Sequence, residues 1–134
     1  DWLFVEDHAK AIDMVQEQGR LFETYNVGGH NEKQNIEIIN IIIDTLQEML
    51  PADDPRRALV SKDLITYVED RKGHDRRYAI APDKIKAEIG WYPETDFATG
   101  IKKTIAWFFE HEDWMKNVTS GDYQKYYDDM YANK

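Results

Sequence analysis

A run of isoleucine and leucine residues with helical spacing constrains the fold more than any other feature of this chain. Apolar side chains recur every three or four positions over residues 35–50: Ile36, Ile39, Ile42, Ile43, Leu46 and Leu50. This spacing places them along one face of an α-helix, and Asn35 is a residue type common at N-caps. The sequence therefore predicts a long helix that packs its apolar face in a core. The alternative is that this face binds a partner protein.

Four further segments have the apolar spacing, or the start and stop residues, of helices: residues 7–18, 81–90, 97–112 and 123–131. Asp7 is predicted to cap the first of them. Only two strands are predicted, an alternating one over residues 22–27 and a buried one over residues 64–68. This order indicates an α/β protein that is mostly helical with few strands. Because two strands rarely form an independent sheet, we expect the chain to borrow strands from other sequence or to self-associate.

Composition excludes several classes of function. The chain has 134 residues, the length of a single domain, and its formal charge of −9 argues against nucleic acid as a general partner, because nucleic-acid-binding proteins present a basic face. It has no cysteine, which excludes thiolate metal sites and cysteine nucleophiles and fits a reducing cytoplasm. No apolar run approaches membrane-spanning length. The first residues include no initiator Met and no signal peptide, so we expect a piece of a longer cytoplasmic protein.

The most concentrated positive charge lies between residues 70 and 78. The order Asp-Arg-Lys-Gly-His-Asp-Arg-Arg-Tyr places four cationic side chains and a histidine within seven residues. The predicted strand over residues 64–68 leads into this cluster, and ligand-binding loops of α/β proteins follow the carboxyl ends of strands. The planar fork of arginine matches a phosphate pair. The sequence therefore predicts an anion site, with a solvated turn paired to acidic residues as the alternative.

Five segments together carry a resemblance to a known family: residues 1–9, 24–32, 70–80, 89–93 and 97–107. They resemble the carboxyl-terminal part of nucleotide-sugar enzymes of the extended short-chain dehydrogenase/reductase family. Within that family, Gly-Gly-His-Asn-Glu and Gly-His-Asp-Arg-Arg-Tyr are most similar to the dTDP-glucose 4,6-dehydratase subfamily. The resemblance covers nearly the whole chain.

The resemblance implies a fold and a reaction. The fold would be the substrate-binding lobe, residues 1–134, beside a Rossmann-like NAD(P)-binding domain that this chain lacks. The full-length lyase would use NAD to convert dTDP-glucose to dTDP-4-keto-6-deoxyglucose and water, in deoxysugar or dTDP-rhamnose synthesis, and would be a homodimer. A close alternative is another nucleotide-sugar enzyme such as a 4-epimerase. A second alternative is a non-enzymatic binding module.

Catalytic residues of such enzymes lie in their amino-terminal part. This sequence contains no Tyr-x-x-x-Lys pair and no glycine-rich dinucleotide fingerprint after a strand. We therefore predict that the chain has no catalytic residue, no metal site and no bound NAD, and that it is inactive alone. Its predicted ligand is a dTDP-sugar.

Three residues have substrate-binding roles by resemblance. Asn35 corresponds to a position that contacts the nucleotide diphosphate, Arg71 to the arginine that holds the diphosphate, and His74 to a histidine near the nucleotide end. Tyr78 is a further candidate that would pack beside the site. The alternatives are, in the same order, an N-cap, a surface salt bridge, a loop cap and a core tyrosine. Lys72 stands where relatives usually have proline, which removes a constraint on φ in this loop.

Overall fold

The computed structural model of the chain describes residues 1–70 and 72–121. Within these ranges it contains five α-helices: α1 (Val5–Gln18), α2 (Asn35–Met49), α3 (Asp83–Ile89), α4 (Phe97–Glu110) and α5 (Glu112–Thr119). Two short 3-10 helices, Pro55–Leu59 and Lys62–Leu64, lie between α2 and α3. The prediction of a mostly helical chain is confirmed. The predicted helix over residues 123–131 lies outside the described residues.

Two compact units divide the chain, Asp1–Ile101 and Lys102–Lys134, with the boundary inside α4. The core of the first unit forms where α1 packs against α3. Ala11, Ile85, Ile89 and Trp91 are buried there, with Tyr25 and Val27 among the partly buried side chains around them. This core holds together segments that are far apart in the sequence.

Asp7 has a different role from the predicted N-cap. Helix α1 already begins at Val5, so Asp7 lies in its first turn and is buried. The Asp7 carboxylate accepts a hydrogen bond from the backbone N–H of Thr95 at 2.9 Å, and the Asp7 carbonyl accepts one from Nε1 of Trp91 at 3.1 Å. These two hydrogen bonds join the turn after α3 to α1. The bond from Thr95 also offsets the cost of burying the Asp7 carboxylate.

Helix α2 confirms the predicted long helix, although its N-cap differs. The cap is Gln34, whose backbone N–H donates to the Glu37 carboxylate at 2.7 Å, and Asn35 is the first helical residue. A glutamate three residues after the cap is the usual partner for this N–H. Ile38 and Thr45 are buried in α2, whereas Ile39 is exposed. Its apolar face is thus half-buried rather than fully in the core.

Neither predicted strand forms among the described residues. In residues 22–27 the side chains of Tyr25 and Val27 do point to the core, but no neighbouring backbone pairs with this segment as a ladder. The second prediction is also wrong about burial, because Tyr67 and Val68 are both more than 80% exposed (82% and 84%). A strand needs hydrogen bonds from a partner strand, and the described part of the chain supplies none.

The second unit begins with the carboxyl-terminal part of α4. The single helix predicted over residues 97–112 is interrupted at His111, whose φ of −121° and ψ of 43° are not helical, and α5 follows. The His111 ring stacks on Trp107 with 4.2 Å between ring centroids, and Trp114 meets the same indole edge-on at 5.2 Å. No helix in the described ranges is both long enough and apolar enough to cross a bilayer.

Candidate functional site

An open groove of about 1060 Å³ lies in the first unit. Three stretches of chain line it: Asp1 and Trp2, residues 32–35 at the start of α2, and side chains between residues 70 and 80. We call residues 70 and 72–78 the groove loop. The groove therefore brings together three of the segments that carry the family resemblance.

One wall of the groove depends on close backbone contact. The Asp1 carboxylate accepts hydrogen bonds from the N–H groups of Gly29 and Asn31, both at 3.1 Å, and the Trp2 N–H donates to the Asn31 carbonyl at 3.1 Å. A Cβ atom on Gly29 would clash with the Trp2 carbonyl oxygen, and one on Gly28 would lie 2.8 Å from Cβ of Ile80. Glycine is favoured at both positions, because a Cβ atom would meet the Trp2 backbone at position 29 and the side chains of Asp1 and Ile80 at position 28.

The second oxygen of the Asp1 carboxylate is buried and has no hydrogen-bond partner among the described residues. A buried carboxylate oxygen without a donor is unfavourable. This oxygen lies against the same glycine pair, 2.7 Å from the position of a Cβ on Gly28. Because Asp1 lines the groove, this oxygen without a hydrogen bond lies close to the groove.

The structure places three of the predicted site residues in this one groove. Asn35, His74 and Tyr78 all line it, and Tyr78 is 54% exposed, so the alternative of a core tyrosine is wrong. Arg71 lies outside the described residues. At Asn35 the helix begins, and backbone N–H groups at a helix start favour an anion.

Charges of both signs line the groove. Lys33, Arg76 and Arg77 face four carboxylates, those of Asp1, Glu32, Asp70 and Asp75. Arg77 and Glu32 approach to 3.8 Å, whereas Arg76 makes no ion pair among the described residues. The groove formed by the described residues is therefore mixed in charge and not uniformly basic.

His74 is held by a carboxylate that our sequence reasoning missed. Nδ1 of His74 lies 2.9 Å from Oδ1 and 3.1 Å from Oδ2 of Asp70. The spacing of four residues between them was the available signal. This contact joins the His74 ring to the side chain of Asp70, four residues earlier in the chain. Because Nδ1 is bound to Asp70, Nε2 is the ring nitrogen that remains for a ligand.

A second charged region lies away from the groove, and we call residues 19–25 the anchored turn. The Arg20 guanidinium binds the Glu88 carboxylate on α3, and the Tyr25 hydroxyl donates to the same carboxylate at 2.8 Å. The Tyr25 hydrogen bond, with Arg20 adding to it, lowers the pKa of Glu88. Likewise the Lys84 ammonium, 2.6 Å from the Glu23 carboxylate, lowers the pKa of Glu23. These charges hold the turn on α3.

The chain is similar in sequence to a known protein family and to characterised enzymes. The family model described as GDP-mannose 4,6 dehydratase matches residues 1–104. A dTDP-glucose 4,6-dehydratase of Shigella flexneri is 48% identical over all 134 residues, which are 36% of that protein. One of Neisseria meningitidis serogroup B is 47% identical over 124 residues, 92% of this chain and 35% of that protein. The chain spans about a third of the length of these relatives.

Solved structures give the same result. A dTDP-glucose 4,6-dehydratase of Bacillus anthracis in complex with NAD superimposes with a TM-score of 0.74 at 42% identity, covering 89% of this chain and 34% of that one. DesIV, a dTDP-glucose 4,6-dehydratase of Streptomyces venezuelae with NAD and TYD bound, gives 0.72 at 33% identity, covering 85% and 32%. The resemblance predicted from the sequence is confirmed.

Proposed function

Because the chain belongs to the GDP-mannose 4,6 dehydratase family, we propose that it is the nucleotide-sugar-binding part of a dTDP-glucose 4,6-dehydratase. The observation that carries this proposal is the convergence of Asn35, His74 and Tyr78 on one groove beside Lys33 and Arg76. The complete enzyme would convert dTDP-glucose to dTDP-4-keto-6-deoxyglucose and water. Homodimerisation of that enzyme is a further prediction.

The groove suits a sugar nucleotide better than a dinucleotide. A dinucleotide site needs a strand followed by a glycine-rich turn into a helix, and the described residues contain no strand. We propose that NAD binds the rest of the enzyme, where it would supply the redox chemistry. No step of that chemistry is assigned to residues of this chain.

Binding is the task that this chain's own residues would perform. Asn35 and the first N–H groups of α2 would meet the diphosphate, with Lys33 and Arg76 as the cations beside it. Arg71 is proposed to hold the diphosphate as well, in line with its place in the family motif. Such charge-assisted hydrogen bonds are each worth about 1.5–3 kcal/mol. His74 and Tyr78 would lie toward the nucleoside.

The nucleobase is the open choice, because the matching family model is described by GDP-mannose and the curated relatives by dTDP-glucose. We propose dTDP, since the Shigella flexneri relative matches all 134 residues, whereas the family model matches residues 1–104. Calorimetric titration with dTDP and with GDP tests this directly. Tighter binding of dTDP supports the proposal, and tighter binding of GDP contradicts it.

The reaction is tested with the protein expressed from the complete gene. Incubation with dTDP-glucose is expected to yield a 4-keto-6-deoxy sugar, detected by mass spectrometry as the loss of one water. An epimerised sugar of unchanged mass would indicate a 4-epimerase instead. No dTDP binding and no turnover, with a stable monomeric chain, would indicate a binding module.

A further inference from the structure

Asp70 is the groove residue whose contact is most specific and whose role the family resemblance did not define. Both of its carboxylate oxygens approach Nδ1 of His74, at 2.9 and 3.1 Å. We propose that Asp70 is a positioning residue that fixes the ring orientation and the tautomer of His74, so that Nε2 is the nitrogen that contacts the nucleotide. This inference rests on the proposed function of the groove.

The chemistry of the pair supports this assignment. A carboxylate only accepts hydrogen bonds, so Nδ1 beside Asp70 carries the proton. The neutral ring then presents an unprotonated Nε2, because the hydrogen bond at one ring nitrogen decides the state of the other. Without the carboxylate, either tautomer is available and the ring is free to turn. A nucleotide would then meet the required form only part of the time.

The exposure of the two side chains indicates that Asp70 contacts the His74 ring from the solvent side. The His74 side chain is 23% exposed, whereas that of Asp70 is 75% exposed. Asp70 is the only residue in the described ranges that makes a hydrogen bond to the His74 ring, and the Tyr78 ring lies 6.4 Å away between centroids. Among the described residues, the imidazole therefore has one hydrogen-bond partner that can set its orientation.

Other charged groups line the groove without an ion pair or hydrogen bond to the His74 ring: Asp1, Glu32, Lys33, Asp75, Arg76 and Arg77. They contribute to the field in the groove but do not select a ring nitrogen. A tautomer effect would therefore be specific to Asp70, whereas a general charge effect would be reproduced by any nearby carboxylate.

Asp70→Asn tests the proposal in the full chain, with Glu69→Gln as the matched control. Glu69 is adjacent and exposed, it does not line the groove, and its change alters the net charge equally. In ¹⁵N NMR spectra, with the His74 signals identified by their loss in His74→Gln, the wild type is expected to show neutral His74 protonated at Nδ1. Asp70→Asn is expected to lose this signature, while Glu69→Gln retains it and Asp70→Glu restores it.

Binding of dTDP is measured on the same variants by calorimetry. Asp70→Asn is expected to raise the Kd about fivefold to tenfold, the scale of one hydrogen bond, whereas Glu69→Gln and Asp70→Glu stay within about twofold. If the wild type binds dTDP but Asp70→Asn binds it equally well or keeps the Nδ1 signature, the inference is wrong and the proposed function stands. If the wild type does not bind dTDP, both fail. Unfolding of both Asp70→Asn and Asp70→Ser would show a structural role and would also overturn the inference.

Discussion

The anchored turn and the groove loop are both rich in charge, yet their arginines differ in how closely they are paired with carboxylates. In the anchored turn, Arg20 binds Glu88, and Glu23 binds Lys84. In the groove loop, Arg76 has no ion pair among the described residues, and Arg77 reaches Glu32 only at 3.8 Å. Charges that are paired within the protein fix its structure, whereas charges left facing a groove are available to a ligand. A charge cluster in the sequence does not by itself distinguish these two uses.

The largest effect is expected from breaking the support of the anchored turn. Ile85 is completely buried on α3, between the two charged residues that hold the turn. Ile85→Ala should lower the free energy of unfolding by about 2–5 kcal/mol, because it removes buried methyl groups and leaves a cavity. Urea unfolding measures this change. Ile12→Ala, at a position that is 58% exposed on α1, is the control and should cost much less. An equal loss of unfolding free energy in both variants would mean that Ile85 does not contribute to the core of the unit.

The next effect separates the two regions by function. Arg71→Ala should weaken dTDP binding by about 1.5–3 kcal/mol, the value of a charge-assisted contact to the diphosphate, without lowering the unfolding midpoint. Arg20→Ala is the matched change in the anchored turn, and should lower that midpoint without altering dTDP affinity. Calorimetry and urea unfolding on both variants give the comparison. Unchanged dTDP affinity in Arg71→Ala would remove this arginine from the site.

The anchored turn should be less stable at acidic pH than at neutral pH. The pKa values of Glu23 and Glu88 are both lowered by their partners from an ordinary value of 4.5. Carboxylates of this kind stabilise the fold fully above their unfolded pKa, and the contribution is lost as the pH falls through the lower folded pKa. The urea midpoint of unfolding should therefore be lower below pH 4 than at pH 6. The double variant Glu23→Gln, Glu88→Gln should reduce this difference, and an identical pH profile would contradict the assignment.

The smallest effect concerns a strained residue in the anchored turn. Phe22 has a φ of 66° and a fully exposed side chain, a conformation that costs a residue with a Cβ about 1–2 kcal/mol. Phe22→Gly should raise the free energy of unfolding by about 0.5–1 kcal/mol, since the greater chain entropy of glycine offsets part of the relief. Phe22→Ala keeps the Cβ and should gain nothing. If both variants gain equally, exposure of the phenyl ring and not the backbone is the cause.

Helices are the part of this fold that the sequence predicts well. Each of α1 to α4 begins and ends close to its predicted bounds, because helical hydrogen bonds join residues four apart. The break at His111 was missed, since the apolar pattern of Trp107 and Phe108 continues toward Trp114. The caps were also misplaced, because Gln34 and Phe4 occupy the cap positions expected of Asn35 and Asp7.

Strands and the site depend on contacts between distant parts of the chain. The apolar run over residues 64–68 looks like a strand, but its residues find no partner backbone in the described ranges and remain exposed. For the groove, family resemblance supplied Asn35, His74 and Tyr78, and the structure brings them together. Asp70 was visible four residues before His74, yet only geometry shows that its carboxylate meets the ring nitrogen.

Position 29 illustrates how sterics limit the variation open to this protein. Every amino acid other than glycine brings a Cβ atom, and here that atom would occupy the space of the Trp2 carbonyl oxygen. Exposed groove residues such as Asp75 and Arg76 can be substituted one at a time by residues of other charge and size. The joint between residues 1–2 and residues 28–31, in contrast, has no room for a Cβ atom at position 29, so any substitution there forces the backbone of Trp2 to move.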